Sequence, residues 1–164
     1  MNYHNIYHCD MLNGDGLRVT LWVAGCEHHC ANCHNPTTWD IDSGIPFDVA
    51  AMSELLDALN QDYISGLTLS GGDPMHTDNR EEILRICNVV KQKFPQKNIW
   101  MYTGYTFEEI KDSPILTYVD ILIDGKYVDE LKDTSAHWVG STNQKVIDLQ
   151  ETLKQGQIIQ YKIN

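Results

Sequence analysis

Apolar runs alternate with stretches of helical periodicity along most of this chain, and each run stops at a polar or glycine-rich segment. Residues 18–24 (RVTLWVA) are β-branched and aromatic enough for a buried strand. A polar loop follows over 25–43, and then Val49, Met52, Leu55, Leu56 and Leu59 recur at helical spacing. Residues 67–70 read as a short buried strand ending at Gly71 and Gly72. A second helix is expected from Asp78, with Glu81 three positions on as its capping-box partner. Its apolar stripe is Ile83, Ile86, Cys87, Val90 and Phe94. Residues 98–102 are strand-like and stop at Thr103 and Gly104, and Thr106 with Glu109 repeats the cap signal over a short helix. Residues 119–123 (VDILI) form the next strand, closed by Asp124 and Gly125. Beyond Lys126 the periodicity weakens; 146–149 and 157–162 read as strands around a helical turn at 151–155.

This order predicts an α/β fold of stacked βα units on a parallel sheet. The loops at the carboxyl ends of parallel strands share one face, and that face holds the site. Segments 25–35, 70–74, 103–104 and 124–125 should therefore converge. The length of 164 residues suits a single domain over 1–164. A closed eight-stranded βα barrel needs about 250 residues, so it is out of reach.

Twelve Lys and Arg against 23 Asp and Glu give a net charge of −11, which excludes a general binder of nucleic-acid backbones. With 42% apolar and 21% charged residues, the chain is globular and not an acidic tail. The first sixteen residues lack a basic segment followed by an apolar one, and no window reaches 18 apolar residues. Neither a secretory signal nor a membrane span is expected. The five cysteines are an odd number, three of them within eight positions, which makes a poor disulfide framework and points to a metal in the cytoplasm.

Cys26, Cys30 and Cys33 form a C-x3-C-x2-C spacing in one loop. Three thiolates so placed can reach one small inorganic centre. A cubane iron–sulfur cluster normally takes four cysteines. With three, one iron is left open to another ligand. The competing reading is a Cys₃His zinc site completed by His28, His29 or His34. Cys87 lies on the apolar stripe of a helix as a small hydrophobe, and Cys9 is not placed as a ligand.

The stretch at 15–39 (DGLRVTLWVAGCEHHCANCHNPTTW), with GLTLSGGDP at 66–74, resembles the radical S-adenosylmethionine superfamily. IWMYTGY (99–105), DILIDGKY (120–127) and WVGSTNQ (138–144) narrow the likeness to the activating proteins of anaerobic ribonucleoside-triphosphate reductases. It runs over about 15–148. The resemblance implies a partial, open (β/α) barrel, with Cys26, Cys30 and Cys33 on three irons of a [4Fe-4S] cluster. S-adenosylmethionine would chelate the fourth iron and be cleaved reductively. The 5′-deoxyadenosyl radical would take a hydrogen from a glycine of the reductase, with no catalytic side chain beyond the cluster. Ser70, Gly71, Gly72, Asp73 and Pro74 would lie near the methionine end. Asn32, Cys33 and His34 would lie near adenine, with Thr103 and Gly104 in the same pocket. Many superfamily members carry an aromatic residue where this chain has Asn32, which weakens ring stacking there.

The implied partners are the glycyl-radical subunit of that reductase and an electron donor of flavodoxin-like kind. A homodimer or a complex with the reductase dimer is compatible, and neither nucleic acid nor membrane is. Two alternatives stay open: an activase of another glycyl-radical enzyme, of the formate-lyase type, and a non-catalytic zinc module. Blander expectations attach to other residues. His28 and His29 read as solvated, Trp39 as packing the loop, and Glu81-Glu82 and Asp129-Glu130 as solvated faces. Asp120 and Asp124 read equally as caps or ligand contacts. Ser141, Asn143 and Gln144 match the family without a derivable role.

Overall fold

The computed structural model describes residues 1–163. Seven strands form one sheet: β1 (Asn2–Asp10), β2 (Leu17–Val23), β3 (Ile45–Pro46), β4 (Ile64–Gly71), β5 (Asn98–Tyr102), β6 (Ile121–Asp124) and β7 (Lys145–Asp148). Their order is β3-β1-β2-β4-β5-β6-β7. The four apolar runs make the parallel centre, β2-β4-β5-β6. β1, β3 and β7 flank it antiparallel. The outermost strands, β3 and β7, do not pair with each other, so the sheet is mixed α/β and not closed.

Strand alternation decides which face takes the helices. Val19, Leu21, Leu67, Leu69, Met101 and Leu122 project to one side. There they pack against α1 (Val49–Leu59), α2 (Arg80–Lys93), α3 (Phe107–Ile110) and α4 (Leu149–Gln155). The other face carries Trp100, Ile121, Ile123 and Val146 in a smaller cluster with Trp138 and Tyr161. It also carries the fully buried Arg18, which donates to Thr68 Oγ1 and to the Leu67 carbonyl and lies over the Trp100 ring. Burial lowers that guanidinium to about 10.

Several boundaries differ from expectation. β1 is a polar strand near the edge of the sheet, paired with the two-residue β3 on its outer side, with no apolar run to announce it, since only Tyr3, Ile6 and Asp10 of its nine residues are buried. α2 begins at Arg80 behind Asn79, and no capping box forms at Asp78 and Glu81. The Asn79 side chain is engaged with the Ala24 and Asp73 carbonyls instead. The box at Thr106 and Glu109 is present. β6 starts at Ile121, two residues after the expected Val119; the preceding single-turn helix over Pro114–Thr117 closes at Tyr118. The 157–162 strand reduces to one bridge between Ile147 and Gln160. Leu149 opens α4, whose first turn is capped by Asp148. Among the described residues no helix is long and apolar enough to cross a membrane.

Parallel pairing aligns the exits of the strands. Val23 stands opposite Gly71, so the cysteine loop and the glycine turn leave the sheet side by side.

Candidate active site

Backbone hydrogen bonds join these two segments before any side chain is considered. Gly72 N donates to Val23 O at 2.8 Å, and Asp73 N donates to Gly25 O at 2.7 Å. Such approach requires glycine. Gly71 has φ +114°, and a Cβ on it would overlap the Val23 backbone. A Cβ on Gly72 would meet the Gly25 carbonyl.

Asp73 is the hub. Its carboxylate is almost fully buried and accepts from Met75 N at 2.8 Å, Thr103 Oγ1 at 2.8 Å, Gly104 N at 3.0 Å and His28 Nε2 at 2.6 Å. Those four donors come from its own turn, from the end of β5 and from the cysteine loop. A carboxylate has about four acceptor sites, so these donors saturate it. The fourth segment joins through backbone. Thr103 N donates to Ile123 O, and Gly125 N donates to Tyr105 O, each at 3.0 Å. Segments 25–35, 70–74, 103–104 and 124–125 therefore do meet at one end of the sheet.

All five cysteines are free, and Cys26, Cys30 and Cys33 are half-buried in their loop. Burial pushes the Cys26 thiol up to about 11, partly offset by the nearby backbone amides of His28 and His29. Asn35 N donates to Cys33 Sγ at 3.4 Å, while its side chain reaches the Gly71 carbonyl. An amide donated to sulfur in this way suits a thiolate. Among the described residues no three Cys, His, Asp or Glu side chains are gathered as a closed ligand set. What the structure shows of the three cysteines is one shared loop, free thiols and the Asn35 amide on Cys33. Cys87 is fully buried on α2, its thiol pushed by burial up to about 12, and Cys9 is exposed on β1.

The histidines that would complete a zinc site are mostly occupied. His28 is not solvated, because its ring is buried against Asp73 and packs edge-on to Tyr105 at 4.6 Å. His29 stacks on Trp39 at 4.5 Å, so Trp39 does pack the loop. His34 is exposed.

Residues 12–147 match the family described as a 4Fe-4S single cluster domain. The anaerobic ribonucleoside-triphosphate reductase-activating protein of Enterobacteria phage T4 is 49% identical over 146 residues, covering 89% of this chain and 93% of that protein. The protein of the same name from Escherichia coli K12 is 42% identical over 150 residues, covering 89% and 97%. Its Vibrio cholerae counterpart is 43% identical with the same coverage. The chain belongs to the family of anaerobic ribonucleoside-triphosphate reductase-activating proteins. That family carries a 4Fe-4S domain over the span that holds Cys26, Cys30 and Cys33.

Membership in this activating-protein family leaves several residues to be placed by structure. Asn32 adopts φ +58°, and its side chain donates to Asp129 Oδ2 at 2.8 Å, which ties the cysteine loop to the 127–131 segment. Asp129 also accepts from Tyr127 OH, so it is more than a solvated charge. Asn32 and His34 line a groove of about 690 Å³ on the face opposite the helices, together with Tyr102 and Trp138. Asp124 accepts from Phe107 N at the start of α3, and Asp120 accepts from Ile99 N and Lys91 Nζ; both roles are structural. Gln144 Nε2 donates to the Gly125 carbonyl, and Asn143 Nδ2 to the Lys126 carbonyl. Ser141 accepts from Val128 N. The 141–144 turn thus braces the loop after β6. Asn35 and Asn79 carry no local motif, because each has a partner 36 to 55 positions away, Gly71 and Ala24.

Proposed function

We propose that this chain activates an anaerobic ribonucleoside-triphosphate reductase by radical S-adenosylmethionine chemistry. Cys26, Cys30 and Cys33 hold a [4Fe-4S] cluster in this reading, and the open sheet is the partial barrel of that superfamily, a single domain over 1–164. When bound and reduced, the cluster with S-adenosylmethionine supplies the 5′-deoxyadenosyl radical that removes a hydrogen atom from a glycine of the reductase. The chain's own residues bind and orient. Gly71 and Gly72 offer backbone carbonyls to the methionine ammonium, and the buried Asp73 fixes that turn against the cysteine loop. Ser70 and Pro74 flank the turn. Thr103 and Gly104 wall the same pocket, while Asn32, Cys33 and His34 lie on the adenine side.

One observation carries this reading: the Asp73 carboxylate ties the glycine turn, the cysteine loop and the end of β5 into one buried unit. A zinc-stabilised module has no use for that union, and the matched family is defined by a 4Fe-4S cluster. The reading places the chain in the cytoplasm with a flavodoxin-like electron donor, as a homodimer or in a complex with the reductase dimer.

The partner is tested by electron paramagnetic resonance. The reconstituted chain, reductant and S-adenosylmethionine should generate a glycyl-radical signal in the anaerobic reductase. Cys30→Ser should generate none. A signal in a formate-lyase-type enzyme and none in the reductase would reassign the partner.

A further inference from the structure

Met11 and Leu12 begin the turn between β1 and β2, and both stand out in solvent, 67% and 82% exposed. The turn is built to hold them there. Asp10, just before them, is buried, and its carboxylate accepts from Leu12 N, Asn13 Nδ2 and Thr20 Oγ1, each at 2.7 Å. The Asn13 carbonyl accepts from Thr68 Oγ1 at 2.7 Å, and Gly14 lies so close to Arg18 and Trp100 that a Cβ there would overlap both. Both sides of the apolar pair are thus fixed to the sheet, and neither side chain can fold back onto the core. Single exposed apolar residues need no explanation, whereas an adjacent pair at the rim of a cavity marks an interaction surface.

Both residues line the groove of about 690 Å³ on the face opposite the helices. The groove is bounded by this turn, by Asn32 and His34 of the cysteine loop, and by the 132–140 segment. It is therefore continuous with the proposed site. Its charge is unlike that of the whole chain. Against a net −11, the groove holds one acid, Asp133, one base, Lys132, and two histidines. Nothing in it attracts a strongly basic partner, and its complement is an uncharged polypeptide segment bearing an apolar side chain.

We propose that Met11 and Leu12 form the apolar lip of a docking surface for the reductase, and that the groove takes the uncharged stretch of that partner which carries the reactive glycine. The inference rests on the partner proposed above. Reach connects the two: the glycine must come to the cysteine loop, and the groove joins that loop to the lip. Seating an apolar side chain on Met11 and Leu12 removes all three from water and holds the segment in one register.

The test is anaerobic titration calorimetry of the reconstituted full chain with the anaerobic reductase. The double variant Met11→Ser/Leu12→Ser should bind at least about tenfold more weakly, with iron content and melting temperature unchanged. Val49→Ser removes an apolar side chain that is 88% exposed outside the groove, and should bind as the unsubstituted chain does. Unchanged affinity in the double variant overturns the inference, as does an equal loss in Val49→Ser. Benzoylphenylalanine in place of Leu12 should photo-crosslink to the reductase peptide that contains the radical-bearing glycine; a crosslink only to other peptides overturns the assigned occupant. A double variant that dissociates self-associated chains while keeping its affinity for the reductase would make the lip an interface between copies, and overturns the inference too. No binding by the unsubstituted chain would instead remove the reductase as partner, and the inference with it.

Discussion

Asp73 donates its backbone amide to the carbonyl of Gly25 across 2.7 Å, one residue before the first cysteine of the 25–35 loop. That bond makes the two motifs, 47 positions apart from Cys26 to Asp73, a single piece of backbone. Asn79, fully buried at the N-terminus of α2, reinforces it by donating to the carbonyls of Ala24 at 2.8 Å and Asp73 at 3.1 Å.

Asn79→Ala should therefore destabilise the apo-protein by about 1–3 kcal/mol, the cost of leaving buried carbonyls unpaired. At this chain length that lowers the melting temperature by about 2–4 °C per kcal/mol. Asn79→Asp should cost more, because it aims a carboxylate at two carbonyl oxygens. Calorimetry ranks the two, and the reverse order would contradict this role for the Asn79 amide.

Gly71 and Gly156 provide an internal comparison. Both have positive φ, but a Cβ on Gly156 meets open space whereas one on Gly71 overlaps the Val23 backbone. Gly156→Ala should cost about 1–2 kcal/mol, the ordinary price of left-handed geometry. Gly71→Ala should cost clearly more and impair iron loading, since it separates β2 from β4 where the cysteine loop leaves. Urea titration with iron analysis reads both effects, and equal losses would show that the close approach at Gly71 does not matter.

The fully buried Cys87 gives stability a pH dependence. Burial pushes its thiol from the ordinary 9.0 to about 12 in the folded chain. The unfolded chain therefore loses this proton first, so the contribution is fully present below about pH 9 and is lost as pH rises toward about 12. Urea unfolding of the reduced apo-protein should show stability falling as pH rises from about 9 to about 10.5. Cys87→Ala should show a smaller fall. Parallel declines in the two proteins would remove Cys87 from the explanation.

The sequence exposed the parallel centre of the fold because β2, β4, β5 and β6 are buried on both faces and read as short apolar runs. β1 was hidden by its composition. Its pairing with β2 is interrupted by register shifts, and one face is left to polar residues. α2 is capped one residue later than the sequence indicates, at Asn79, whose side chain is spent on tertiary partners. His28 looked solvated for a similar reason: nothing local to the cysteine loop shows that Asp73, 45 positions on, will bury it. The cysteines and the glycine turn were legible as motifs, whereas the bonds that unite them exist only in three dimensions.

The central claim is that the cysteine loop and the Gly71–Asp73 turn form one site for S-adenosylmethionine cleavage, and product analysis tests it most directly. The chain is reconstituted anaerobically with iron and sulfide, reduced with dithionite and mixed with S-adenosylmethionine, and the products are separated chromatographically. The account predicts 5′-deoxyadenosine and methionine from the unsubstituted chain and from Cys87→Ser, and none from Cys30→Ser. A chain that takes up its cluster yet releases no 5′-deoxyadenosine would contradict it.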